Sequence, residues 1–203
     1  MSNSLALSKL PPALPPKLPI VLVGLMGVGK STVGRRLAKR LAMEFVDSDS
    51  EIELAADHSI AEIFARFGEE SFRDGERRVI ARLVEGPPKV IATGGGAFMN
   101  ERTRALILER SVSVWLDADV ETLAERVSRR DTRPLLKDKD PLLLLRDLAS
   151  ARNPVYALAH IHVRSQPMPH ERAVERIVEA LAEWEGRRGP NPAAPPAPPR
   201  GGT

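Results

Sequence analysis

The chain has 203 residues, 42% hydrophobic and 28% charged, with Lys+Arg 30 against Asp+Glu 27. That length suits one domain around one buried core, and a net charge of +3 gives no indication of a nucleic-acid partner. The absence of cysteine excludes disulfides, thiolate zinc sites and a cysteine nucleophile, and no apolar run is long enough to span a bilayer.

Residues 1–18 carry prolines where a signal peptide needs a compact apolar core, and they lack the arginines of a mitochondrial transit peptide. A disordered extension is expected there, and another in the Pro/Gly/Ala-rich residues 187–203. The folded unit is expected over 19–186, with the cytoplasm as its address. A first strand is predicted at 20-IVLVG-24, then a helix in which Val33, Leu37 and Leu41 recur at i, i+4, i+8. A second strand, 44-EFVD-47, precedes a Ser59-x-x-Glu62 capping box that opens a helix with Ile60, Ile63, Phe64 and Phe67 on one stripe. Strands at 90-VIATG-94, 112-VSVWLD-117 and 161-IHVRS-165 follow. The helical stripes between and after them are Val120, Leu123, Ala124, Val127 and then Val174, Ile177, Val178, Leu181. Strand runs that are apolar on both faces, alternating with helices, predict a parallel α/β sandwich with right-handed crossovers. Ligands of such folds sit beyond the carboxyl ends of the strands.

Between the first strand and its helix lies Gly24-x-x-x-x-Gly29-Lys30-Ser31, a complete Walker A pattern. Its glycines let the backbone curl so that N–H groups point at phosphate oxygens, and the helix N-terminus adds partial positive charge. Gly27, Val28 and Gly29 belong to that cradle, Lys30 reaches the outer phosphates, Ser31 can ligate Mg²⁺, and Thr32 adds a phosphate contact. The pattern predicts a bound nucleoside triphosphate. Arg35, Arg36, Lys39 and Arg40 further along the helix read as a solvated face. Asp47 and Asp49 fall at i, i+2 where the second strand runs out into its loop. One of the pair can help to hold Mg²⁺ and the other can accept a proton from a substrate hydroxyl, or the cluster merely caps the next helix. The third strand ends in Gly94, Gly95 and Gly96 rather than in the Asp of a common Walker B strand, which strengthens Asp47 as the metal carboxylate, with Asp117 and Asp119 as rivals. A glycine run also lets a small ligand approach the backbone closely.

Taken together, GLMGVGKST, FVDSD, ESFRDGE, ATGGG, TRPLL and ARNPVY, in that order and spacing, resemble shikimate kinase over about residues 19–185. The resemblance implies a nucleoside-monophosphate-kinase-like three-layer P-loop fold: a five-stranded parallel sheet, a substrate-binding helical region and a lid at about 129–141. It implies transfer of the γ-phosphoryl group of ATP to the 3-hydroxyl of shikimate, in the chorismate route to aromatic amino acids, with Mg²⁺. On this resemblance Asp49 grips the ring hydroxyls and takes the proton, Asp47 orders Mg²⁺ with Ser31, and Arg73 and Arg152 clamp the shikimate carboxylate. Gly95 is the backbone donor, supported by Gly94 and Gly96; Arg133 is the lid arginine over the phosphates, and Arg126 packs near the adenine. Two parallel hydrogen bonds from a planar guanidinium suit a carboxylate, and Glu76, one turn after Arg73, can hold its fork in place. The expected partners are shikimate and ATP, with no nucleic acid and no membrane, and the chain is expected to be a monomer. Two departures from the family pattern stand out: 164-RSQPMPHE-171 is idiosyncratic, so no adenine-contacting residue is named there, and His160 stands where an acidic residue is common. His58, His162 and His170 match no role. Two other readings remain open: a kinase of another small hydroxy-acid such as gluconate, and a nucleotide-sensing module without turnover.

Overall fold

The computed structural model describes residues 17–128, 140–164 and 169–188. Most of the expected tails and lid, including Arg133, lies outside them. Strands β1 (Ile20–Val23), β2 (Glu44–Asp47), β3 (Lys89–Ala92), β4 (Val112–Asp117) and β5 (Ile161–Arg164) form a five-stranded sheet in the order β2-β3-β1-β4-β5. Every pairing is parallel. The helices are α1 (Lys30–Leu41), α2 (Ser48–Ala56), α3 (Ile60–Glu85), α4 (Glu101–Arg110), α5 (Val120–Ser128), α6 (Pro141–Tyr156) and α7 (His170–Arg188). The chain leaves β1 outward to β2, returns to β3, and then crosses to β4, so the order reverses around β1. Such a reversal opens a crevice at the carboxyl ends of the strands.

All four residues of β1 are wholly buried, and β3 and β4 are buried along nearly their whole length. The expectation of strands apolar on both faces holds for these inner three. It does not hold for the edge strands: β5 alternates buried and exposed residues, and β2 is only partly covered, because an edge strand has a neighbour on one side alone. The predicted stripes of α1 and α7 are buried throughout, and so are Leu123 and Val127 of α5.

The stripe at the start of α3 behaves differently. Its capping box forms, with the Ser59 N–H donating to Glu62 Oε2 at 2.9 Å and the Glu62 N–H to Ser59 Oγ at 3.3 Å. The helix then breaks at Gly68, where φ is 78° and ψ 175°. Only Ile63 of the stripe is buried, while Phe64 and Phe67 remain 37% and 57% exposed. The basic strip of α1 is also less solvated than expected: Arg40 pairs with Glu175 at 2.9 Å and Arg36 with Glu171 at 3.3 Å, fastening α1 to α7.

The strand ends set the crevice. β1 and β3 stop a residue or two short of the predicted limits, and β2 passes directly into α2 with no loop between them. The cause is local: the Asp47 carboxylate accepts from the Asp49 N–H at 3.1 Å and caps α2 as the strand finishes. Gly24, immediately after β1, has φ 138°, and a Cβ there would lie 2.3 Å from the Leu116 carbonyl oxygen of β4. Backbone has no rotamer with which to yield. Gly24→Ala is therefore expected to lose about 2–4 kcal/mol from overpacking and backbone strain combined. Urea denaturation checks this; a midpoint equal to that of the parent chain contradicts the packing.

Candidate active site

The loop between β1 and α1 has the conformation that its glycines allow. Gly27 and Gly29 take φ of 82° and 94°, and Gly29 is the N-cap of α1. No side chain caps that helix end, which leaves its first N–H groups to an anion. Lys30 is 9% exposed, and its amine donates to the carbonyls of Gly24 and Leu25 at 2.8 and 2.9 Å. Its charge is thus stored against the loop. Val28 is buried and Thr32 lies in the first turn of α1. Val127 of α5 packs over Gly27, 2.6 Å from where a Cβ would stand, so the end of α5 roofs the loop. Nη1 of neighbouring Arg126 is buried there without a hydrogen-bond partner among the described residues.

Ser31 and Asp47 come from different elements and meet, Ser31 Oγ donating to Asp47 Oδ2 at 2.6 Å. The other oxygen of Asp47 is the cap of α2. The capping reading of the acidic cluster is therefore realised at Asp47, which keeps its second oxygen on the Ser31 hydroxyl. The rival carboxylates are engaged elsewhere: Asp117 lies 3.1 Å from His162 Nε2, and Asp119 pairs with Arg164 at 2.7 Å. Hydroxyl and carboxylate oxygens of this kind suit Mg²⁺, and the pair fits the expected metal position at the foot of the phosphate loop.

Asp49, in the first turn of α2, faces the glycine turn that follows β3. A Cβ on Gly94 would come within 2.7 Å of Asp49 Oδ1 and 3.3 Å of Glu76 Oε1. One on Gly96 would collide with the whole Arg73 guanidinium, at 2.7–3.0 Å. Gly95 faces the other way: its Cβ position lies 3.5 Å from the Met26 nitrogen, 3.6 Å from the Gly24 carbonyl and 3.7 Å from Arg152 Nη1. The turn thus touches the phosphate loop on one side and Asp49, Glu76 and Arg73 on another. Buried Thr93 ties this end of β3 to β1, its hydroxyl and N–H both donating to the Leu22 carbonyl.

Arg73 Nη1 donates to Glu76 Oε2 at 2.8 Å, the guanidinium also reaches Glu69, and it lies 5.1 Å over the ring of Phe72. Partial burial works against its charge, but the bonds and charges of Glu76 and Glu69 outweigh this and raise its pKa. Glu76 is 1% exposed. Burial pushes its carboxyl pKa up, Arg73 opposes that, and the nearby charges of Asp49 and Glu69 add to the rise. Its Oε1 has no hydrogen-bond partner among the described residues. Arg152 of α6 donates to the Gly95 carbonyl at 3.2 Å. Asp49, Arg73 and Arg152 therefore all meet the turn of three glycines, next to the loop that carries Lys30, Ser31 and Asp47. A phosphate chain can be held on its loop side and a small anionic ligand bearing hydroxyls on the other. Arg133 lies outside the described residues.

Two side chains join this region without having been singled out in the sequence. The Tyr156 hydroxyl donates to the same Gly95 carbonyl; its signal was its place one helical turn after Arg152 in ARNPVY. His170 opens α7 with its ring 3.6 Å from the Cβ position of Gly29. Burial, then the charges of Arg36 and Arg126, lower its pKa. A lone histidine in an irregular segment carried no signal. The remaining histidines lie elsewhere, His160 on Ser113, His162 on Asp117 and His58 beside Arg66.

Comparison with known proteins bears on this arrangement. The family model described as shikimate kinase matches residues 26–182. A shikimate kinase of Caulobacter vibrioides is 63% identical over 164 residues, 81% of this chain and 82% of that protein. The structure of the Acinetobacter baumannii shikimate kinase in complex with shikimate superposes with a TM-score of 0.75 at 36% identity, covering 89% of this chain and 97% of that one. A gluconokinase from Sinorhizobium meliloti shares the fold, with a TM-score of 0.59 at 18% identity over 85% of this chain and 95% of its own.

The crowding at Gly96 generates a sharp expectation. Gly96→Ala should drive the Arg73 guanidinium from its place and weaken binding of a small carboxylate ligand by roughly 10-fold, the worth of one charge-assisted hydrogen bond. Nucleotide affinity should stay within about two-fold. Calorimetric titration with each ligand decides; equal losses, or none, would contradict the contact.

Proposed function

The chain belongs to the shikimate kinase family, and we propose that it transfers the γ-phosphoryl group of ATP to the 3-hydroxyl of shikimate. The observation that supports this reading is the glycine turn beside the phosphate loop, against which Asp49, Arg73 and Arg152 all lie. The product, shikimate 3-phosphate, lies on the chorismate route to aromatic amino acids.

The reaction needs alignment and neutralisation of charge more than covalent help. The N–H groups at the start of α1 hold the phosphate chain. The Lys30 amine leaves the Gly24 and Leu25 carbonyls, which bind it more weakly than a phosphate oxygen, and follows the negative charge toward the transferred group. Ser31 and Asp47 would hold Mg²⁺, which supplies Lewis-acid neutralisation of the phosphates when bound. Arg73 and Arg152 take the shikimate carboxylate, and their attraction fixes the face of the ring. Glu76 keeps the Arg73 fork pointed into the cleft. Asp49 is then left to grip the ring hydroxyls, set the 3-hydroxyl in line with the γ-phosphorus and accept its proton as the new P–O bond forms and the bond from the γ-phosphorus to the β–γ bridging oxygen breaks, releasing ADP. Phe72, with Phe64 at 4.6 Å between ring centroids, offers the cyclohexene an apolar wall on the same side. By resemblance, Arg126 packs near the adenine and Arg133 closes over the phosphates. This enzyme works in the cytoplasm as a monomer on the same reading.

Coupled measurement of ATP turnover with shikimate, with gluconate and with buffer alone tests the substrate. Turnover with shikimate only is expected; activity confined to gluconate, or none with either acid, overturns the reading. Lys30→Met and Asp49→Ala should each lower kcat by about 10²–10⁴-fold at a temperature where circular dichroism shows both variants folded. Wild-type turnover in either variant removes that residue from the mechanism. Arg73→Ala should raise the KM for shikimate by roughly 10–100-fold and hardly move that for ATP; matched changes in the two constants would exclude the clamp.

A further inference from the structure

The carbonyl of Gly95 is held twice from one helix face. Arg152 and Tyr156 stand at i, i+4 on α6; the guanidinium donates to that oxygen at 3.2 Å and the phenol donates to it as well. The phenol is 1% exposed, and its ring lies between Phe98 and Trp115, at 6.4 and 6.1 Å and tilted by only 20° and 28°. Packing therefore decides where the hydroxyl points. Burial pushes the phenol pKa up to about 12, against the opposing charge and hydrogen bond of Arg152, so Tyr156 stays protonated and remains a donor at any ordinary pH.

Two consequences follow from elementary geometry. There is no cis peptide among the described residues, and in a trans peptide the C=O and the following N–H point in opposite directions. A Gly95 carbonyl drawn to α6 turns the Gly96 N–H away from α6. The second consequence concerns Arg152. If its guanidinium turns to a ligand carboxylate, the Gly95 oxygen loses a donor. A part-buried carbonyl without a partner is costly, and a carbonyl whose donor is Arg152 alone would compete with the ligand for it.

We propose that Tyr156 is a positioning residue for the acid-binding half of the site: its hydroxyl keeps the Gly95–Gly96 peptide plane in place and so releases Arg152 to the substrate carboxylate. The proposal rests on the reading of shikimate as the acceptor. It assigns Tyr156 no contact with substrate. Its effect runs through the glycine turn and through Arg152.

Tyr156→Phe keeps the ring stack and deletes the donor. With the full chain and saturating ATP, the KM for shikimate is expected to rise about 5–10-fold, in keeping with one hydrogen bond. The KM for ATP should move less than two-fold. In an Arg152→Ala background, adding Tyr156→Phe should raise the shikimate KM by much less than it does alone, because the competition for Arg152 is gone. Leu145→Ala removes a buried side chain of α6 about three turns earlier and controls for loss of stability. It should lower the melting temperature at least as far without splitting the two KM values. A Tyr156→Phe enzyme with only a lowered melting temperature and unchanged KM values overturns the proposal, and so do equal shifts for both substrates or full additivity with Arg152→Ala. Should the variant be too unstable for kinetics at 25 °C, calorimetric titration with shikimate and with ATP well below its melting temperature makes the same comparison. Parent chain that fails to phosphorylate shikimate instead sinks the functional reading, which keeps the two failures distinct.

Discussion

The organisation of this site depends on the absence of three Cβ atoms. The turn after β3 is glycine at three successive positions, and each vacancy is filled by something different. Asp49 and Glu76 press on Gly94, the phosphate loop and Arg152 on Gly95, and the Arg73 guanidinium on Gly96. Put a methyl group at the first or third of these and a charged side chain has to move by a large fraction of an ångström. The turn is thus a wall between the phosphate loop and the group formed by Asp49, Glu76 and Arg73. It is as thin as a polypeptide can be, and under the proposed roles that lets a phosphoryl donor and its acceptor come within reach without a second domain between them.

Charges alternate across that wall. Lys30 sits on the loop side, with Asp47 against Ser31. Asp49 faces the turn from α2, and Glu76 braces Arg73 from α3. Burying a carboxylate almost completely, as at Glu76, is unfavourable in itself, and the rise in its pKa expresses this. A hydrophobic residue of similar volume would often be no less stabilising. What it would not do is hold a planar guanidinium in one orientation. Under the proposed roles that orientation selects a carboxylate on the acceptor, and the fold gives up some stability to obtain it. The loop is economical in another way: Lys30 rests on carbonyls of its own loop, so under the proposed roles its charge is already near the place where phosphate charge arrives.

The sheet supplies the rigidity that such spacing requires. β1 is inaccessible to solvent along its whole length and pairs on both sides. Gly24 lies so close to β4 that even a methyl group would meet the Leu116 carbonyl. Thr93 stitches the end of β3 to β1 with two bonds to one oxygen. The glycine turn and the phosphate loop therefore leave neighbouring, tightly joined strands, and their separation is set by the pitch of a parallel sheet rather than by loop conformation.

Much of this was legible in the residues themselves. Alternating apolar runs and helical stripes place five parallel strands and their order along the chain, because strand and helix periods are local properties of a few successive residues. The Walker A spacing, the Ser59–Glu62 box and the paired carboxylates of the second strand are likewise local, and each appears in the structure where its pattern puts it. What the sequence could not decide were matters of approach between distant segments. It left open whether the strand ending at Asp47 runs out into a loop or caps a helix, whereas the carboxylate of Asp47 starts a helix at once. It made Phe64 and Phe67 one stripe with Ile63, whereas ahead of the break at Gly68 neither ring is buried. The second donor on Gly95, the burial of Glu76 and the place of His170 beside Gly29 emerge only when α6, α3 and α7 are packed against the sheet. A side chain's identity is written in one position, but its partner across the fold is chosen by the geometry of every element between them.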